Sequence, residues 1–167
     1  MNTLKSIVIK DYTKAREERL ANAALSPGHL VELMSTDKVR MHSTAGHIAV
    51  KWFALEDELQ GKGIDDAYAA DAVVQIGGFR GNDQVNALIA DGESIAIGDF
   101  LCSNGDGTLK KWLMADSSDL NETSPDALAN WAASPIALAL EALDLSSSSG
   151  EESTGLIGDR RAKVMIL

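Results

Sequence analysis

The stretch IGDFLCSNGDGTLKKW, residues 97–112, decides how the rest of the chain is read. It carries two Gly-Asp pairs, a lone cysteine and an Asn-Gly-Asp-Gly run, so a metal loop and a phosphate loop both have to be tested. A calcium loop of the EF-hand type needs oxygen ligands at positions 1, 3 and 5, Gly at 6 and a bidentate Glu at 12. Counted from Asn104, Asp106 and Thr108 fit, but Leu109 stands in the Gly position and Ala115 in the Glu position. A phosphate cradle needs a Lys-Ser/Thr pair after its glycines and a helix behind it, whereas TLKKW is strand-like. Asp-Gly between apolar runs is a leading hairpin signal. The stretch therefore predicts a hairpin with Asp106 and Gly107 at its tip and Gly98 at a strand corner. Phe100 and Cys102 fall on one face of the first strand.

The same pattern appears upstream. Gly28-His29-Leu30-Val31 is followed, eleven residues after its glycine, by Val39-Arg40, just as Gly98-Asp99-Phe100-Leu101 is followed by Leu109-Lys110. Either one hairpin is used twice in a small barrel or sandwich, with Gly opening a corner, or the match is a coincidence over few positions. Other strand signals are GHLVELM and KVRMHS around the turn residues STD, then HIAVKWFAL, then VVQIGGF with a bend or bulge at Gly77-Gly78. Two more strands meet at Asp91-Gly92. RRAKVMIL closes the chain with Ala162, Val164 and Ile166 on one face. IALALEALDL (136–145) fits helix by propensity and strand by alternation. DDAYAA and DALANWAA each suggest a helical turn, residues 114–128 a loop, and residues 146–155 a flexible, Ser-rich loop.

Residues 1–26 read differently. SIVIK is a short β-like run, and DYTKAREERLANAAL combines an N-cap at Asp11 with good helix formers and a stop at Pro27-Gly28. Its thin apolar side predicts a partly helical arm that packs on a neighbour. The expected organisation is an N-terminal arm over 1–26 and a β-rich domain over 27–167. The expected fold class is mainly β, small, antiparallel and barrel- or sandwich-like, with one or two short helices.

Composition narrows the function. The hydrophobic fraction of 45% supports a core, filled mostly by aliphatic side chains because aromatics are only 5%. A net charge of −10, with basic pairs only at Lys110-Lys111 and Arg160-Arg161, disfavours nucleic-acid binding, which needs cations to displace phosphate counterions. No apolar run nears the ~18 residues of a membrane span. No signal-peptide pattern opens the chain, so synthesis in a cytoplasm is expected. Cys102 reads as a small buried strand residue.

His29, His42 and His47 lie close in sequence without a helical ligand spacing. Glu56, Asp57, Glu58, Asp65, Asp66 and Asp71 read as solvated acids, and no G-x-S-x-G elbow is present. No catalytic, metal or cofactor residues are assigned. Trp52, Trp112 and Trp131 leave a glycan-binding module, such as a tail or adhesin domain, as an alternative.

Five blocks carry a resemblance: SPGHLVELMSTDKVRMHSTAG, FALEDELQGKGIDDAYAAD, IADGESIAIGDFLCSNGDGTLKKW, ALALEALDLSSSS and the terminal RRAKVMIL. From about Pro27 to Leu167 the chain resembles the head decoration, or capsid cement, proteins of tailed phages and prophages. NETSPDALANWAASPI and the first 25 residues depart from that pattern. The resemblance implies a β-tulip-type fold on the outer surface of an icosahedral head, commonly as homotrimers. The major capsid protein would be the partner, with no enzymatic activity, cofactor, nucleic acid or membrane involved. It also favours a strand for 136–145. The contact expected from the arm is strand addition by TLKSIVIK across a subunit boundary, through Thr3, Leu4, Ile7, Val8 and Ile9, with Tyr12 behind them.

Overall fold

The computed structural model describes residues 5–11, 15–113, 134–147 and 160–167. Thirteen strands occupy them: β1 Val8–Lys10, β2 Ala15–Ala21, β3 Val31–Leu33, β4 Lys38–Met41, β5 Trp52–Ala54, β6 Val73–Gly78, β7 Gln84–Leu88, β8 Ser94–Ile95, β9 Phe100–Ser103, β10 Leu109–Lys111, β11 Ala137–Ala139, β12 Leu143–Asp144 and β13 Arg161–Ile166. The helical element among the described residues is a 3-10 turn, Glu58–Gln60, capped by the Asp57 carboxylate. The protein is mainly β and mostly sandwich-like, as expected. Its sheets are open: a five-stranded one in the order β3-β4-β2-β6-β5, a six-stranded one in the order β1-β7-β13-β11-β9-β10, and a small β12-β8 pair.

The hairpin over 97–112 forms as read. β9 and β10 pair antiparallel, Gly107 takes φ +81°, and Asp106 accepts a hydrogen bond from the Thr108 N–H at 2.9 Å. Its upstream counterpart forms as well, and the two match in register. Val31↔Met41 and Leu33↔Val39 in β3–β4 correspond to Leu101↔Lys111 and Ser103↔Leu109 in β9–β10. Gly28 and Gly98 open the two hairpins at φ +94° and +93°, a region where a Cβ is strained.

The match extends far beyond the hairpins. Ala54 exchanges hydrogen bonds with Gly28 and His29 as Ala139 does with Gly98 and Asp99. Leu55 N–H reaches Gln75 O as Leu140 N–H reaches Lys163 O, and Ala21 N–H reaches Ala72 O as Ile89 N–H reaches Arg160 O. Even the parallel contact recurs, Ala21↔Val39 and Ile89↔Leu109. The described chain is thus two copies of one five-stranded unit. The first is β2-β3-β4-β5-β6 and the second β7-β9-β10-β11-β13, with β1 added to the edge of the second.

Each unit encloses a cluster of its own. Ala21, Leu25, Val31, Val39, Ala54, Tyr68, Val74 and Ile76 fill the first. Val85, Ala87, Ile89, Leu101, Leu109, Ala137, Ala139 and the β13 face of Ala162, Val164 and Ile166 fill the second. The second cluster also takes in Leu30, Phe53, Leu55 and Phe79 from the first unit, which is how the two halves are held together. Gly77 makes room at this seam, since a Cβ there would come within 2.9 Å of the Phe79 ring.

Several expectations are corrected. The helix predicted over 11–25 is replaced by β2, because pairing with β4 on one side and β6 on the other outweighs local helix propensity. Residues 15–21 are consequently a strand of the first sheet and not part of a separate arm. HIAVKWFAL yields a strand only at Trp52–Ala54, with Ile48 and Val50 exposed. DDAYAA makes a turn and a bridge from Tyr68 to Leu25 instead of a helical turn. The strands either side of Asp91-Gly92 do not pair with each other; β8 joins β12. The strand reading of 136–145 holds at β11 and β12. DALANWAA, the 114–128 loop and most of the 146–155 loop lie outside the described residues.

Candidate functional site

Reactive side chains are engaged in structural roles. His29 lies at the seam between the units, where its Nδ1 accepts a hydrogen bond from the Ser26 N–H at 3.0 Å. Burial pulls its pKa down to about 4, against the opposing charge of Asp106, so the ring is neutral. His42 bonds to the Ser103 hydroxyl at 2.8 Å through Nδ1, and its Nε2 lies 3.8 Å from Glu32. Among the described residues no three His, Cys, Asp or Glu side chains gather as a metal site, and no helix is long and apolar enough to cross a membrane. Cys102 is buried on β9, and burial pushes its thiol pKa up.

The acids are not uniformly solvated. Glu56 and Asp57 are buried. Glu56 accepts from the Ser6 hydroxyl at 2.6 Å and from the Ile7 N–H at 3.1 Å, while Asp65 accepts from the fully buried Arg161 at 2.7 Å. A cleft of about 570 Å³ runs along the seam, with His29, Asp91, Asp106, Thr108 and Arg160 facing it. Burial raises the Asp106 pKa, but hydrogen bonds from the Thr108 hydroxyl and N–H and from Asn104 outweigh it and hold the carboxyl below its usual range.

Within the single chain the arm strand has a seat of its own. β1 is seated on its own chain, antiparallel to β7 with Val8 opposite Val85. Ile7 is fully buried and its carbonyl accepts from the Asn86 N–H at 2.9 Å. Ile7 is therefore core, because removing it would open the second cluster, and Val8 and Ile9 are half-buried. Thr3, Leu4 and Tyr12 lie outside the described residues. The turn residues Gly28, Gly98, Asp106 and Gly107 all sit at turns or corners, as predicted.

Besides the exposed Ile48, Val50, Leu59 and Leu113, apolar surface is exposed on equivalent faces of the two units. On the first unit Leu20, Leu33 and Val73 are 43%, 49% and 46% exposed, with Leu20 directly opposite Val73 in the β2–β6 ladder. On the second unit Ile97 is 71% and Phe100 44% exposed, and Phe100 pairs with Leu138 on β11 and meets Trp112 edge to face at 6.1 Å. Leu138 in turn lies opposite Met165 on β13. Phe100 and Cys102, expected on one face of the strand, differ in burial: Phe100 is 44% exposed, while Cys102 is buried along with Leu101. Leu20 and Val73 were missed, since a helical reading of 11–25 hides the ladder that brings them together. No protein-family model matches the chain, and no curated protein sequence matches it.

Proposed function

We propose that this chain is a structural virion protein that binds the outer surface of an icosahedral phage head as a trimer and stabilises the mature lattice. Its partners are then the major capsid protein and further copies of itself. The observation that carries the proposal is the pair of apolar patches at opposite elements of a small, acidic β scaffold whose buried polar groups serve the fold. A cement protein needs contact area on several sides, on the order of 800 Å² per partner, multiplied by simultaneous engagement of several sites. It stabilises the shell by binding the assembled lattice in preference to its parts. The block-level resemblance points the same way, and the net charge of −10 suits a component kept apart from packaged DNA.

The glycan-module alternative has less support. Trp52 is half-buried on β5, where its ring covers Gly78, and Trp112 is engaged with Phe100 across β9–β10. These two rings belong to different sheets, so they do not form one stacking platform. The test is to mix purified protein with undecorated heads and image them by electron microscopy. Added density at regular surface positions is expected; bare heads at saturating protein would refute the proposal.

A further inference from the structure

The two apolar patches are related to each other by the internal duplication, and this assigns them a partner. Within the chain, the first unit presents Pro27 to Leu30 and His42 to the second unit. The receiving surface is Leu88, Ser103, Gly107 and Arg161. Leu88 N–H donates to Gly28 O at 3.1 Å, Arg161 donates to Pro27 O at 3.0 Å, Leu30 N–H donates to Gly107 O at 2.8 Å, and Ser103 meets His42 at 2.8 Å. The two sides use different surfaces of the common unit, so the contact is heterologous and leaves one unused copy of each side. By the matched registers, the counterpart of Pro27, Leu30 and His42 is Ile97, Phe100 and Trp112. The unused counterpart of Leu88, Ser103, Gly107 and Arg161 is Leu20, Leu33, Asp37 and Val73.

Those counterparts are the exposed patches. Leu30 is fully buried and its equivalent Phe100 is 44% exposed; Leu88 is 2% and Leu20 is 43% exposed; Arg161 is fully buried and Val73 is 46% exposed. A Cβ on Gly28 would lie 3.2 Å from Arg161 Nε and from Asn86 O, whereas no atom lies within 4 Å of one on Gly98.

Chemistry also switches together on the two sides. The polar pair His42–Ser103 corresponds by register to Trp112 and Leu33, and the polar Arg161–Pro27 contact corresponds to Val73 and Ile97. Gly107, which lies against Met41, corresponds to Asp37, and Met41 to Lys111; within the chain these two pair with Arg19 and Asp99. Paired changes of this kind maintain a complementary contact.

We infer that the occupant of each patch is a second copy of this chain, docked head to tail so that Ile97, Phe100 and Trp112 of one copy cover Leu20, Leu33 and Val73 of the next. The inference rests on the duplication and not on what the assembly coats. Repeated head to tail, the same contact engages both faces of every copy within a closed ring.

The test uses two variants, Leu20→Asp and Phe100→Asp, each at a surface position of the single chain, examined by light scattering and analytical ultracentrifugation. Wild type is expected to associate, each variant alone to be monomeric, and an equimolar mixture to give one-to-one dimers through the faces that remain intact. A monomeric wild type, variants that keep the wild-type mass, or a mixture that does not combine would each overturn the inference. Should either variant fail to fold, the double variant Val73→Cys/Ile97→Cys in a Cys102→Ser background replaces it. Oxidation should then give covalent multimers on a denaturing gel, and exclusively monomer would overturn the inference. Failure of head binding with these results intact would refute the capsid proposal alone.

Discussion

The two units share strand neighbours, register and hairpin corners, with their sheets interrupted at different places, yet they differ in what lies against the same face. In the first unit Leu30, Phe53 and Leu55 are buried beneath the second; in the second unit their counterparts Phe100, Leu138 and Leu140 are half-buried or exposed. Side-chain burial here is a property of position in the assembly of units and not of the unit itself. The comparison teaches that a repeated fold can use one face once internally and leave its copy available.

The largest expected effect breaks that comparison at its strongest point. Phe53→Ala should cost about 3–5 kcal/mol by removing a fully buried ring that meets Phe79 edge to face at 5.8 Å. The counterpart change, Leu138→Ala, should cost the isolated chain about 1 kcal/mol, since less contact is lost. Urea unfolding of the dilute protein measures both. Equal losses would remove the distinction between the two faces.

The hairpin corners give the next contrast. Gly98→Ala carries only the strain of a positive φ, about 1–2 kcal/mol. Gly28→Ala carries the same strain plus a crowded contact with Arg161 and the Asn86 carbonyl, so its loss should exceed that of Gly98→Ala by about 1 kcal/mol or more. Melting temperatures of the two variants decide it, and a larger loss at Gly98 would contradict the seam as described.

His29 makes stability depend on pH. Its native pKa of about 4 lies below the model-peptide value of 6.5, so the unfolded chain binds a proton in this interval that the native chain does not. Its contribution is complete above pH 6.5 and declines as pH falls towards 4, by ~1–3 kcal/mol. His29→Gln, whose side-chain carbonyl can still accept from the Ser26 N–H, should flatten that decline in urea midpoints measured across the interval. The smallest effects belong to the exposed patch: Leu20→Ala and Val73→Ala should each change monomer stability by less than about 1 kcal/mol.

Local chemistry was the legible part of the sequence. The hairpin at 97–112, its partner near Gly28, the buried Cys102 and the alternating β13 face follow from turn residues and period-two patterning, which act over a few positions. Ala-Arg-Glu-Glu-Arg-Leu-Ala was read as helix because its propensity is helical, and only the flanking strands β4 and β6, distant in sequence, make it β2. The duplication was visible at the hairpins and lost elsewhere, since the spacing from each hairpin to its following strand differs: β5 begins at Trp52 but β11 at Ala137. Leu20 and Val73 carry no signature of a contact site on their own. Their meaning comes from the buried pair, Leu88 and Arg161, that occupies the same place in the other unit.

Hydrogen exchange followed by mass spectrometry at low and high protein concentration tests the relation between the units most directly. Concentration-dependent protection is expected around Leu20, Leu33 and Val73 on the first unit and around Ile97, Phe100 and Trp112 on the second, with the seam at Gly28 and Leu88 protected at every concentration. Protection that appears elsewhere, or on only one of the two patches, would contradict a contact repeated from within the chain.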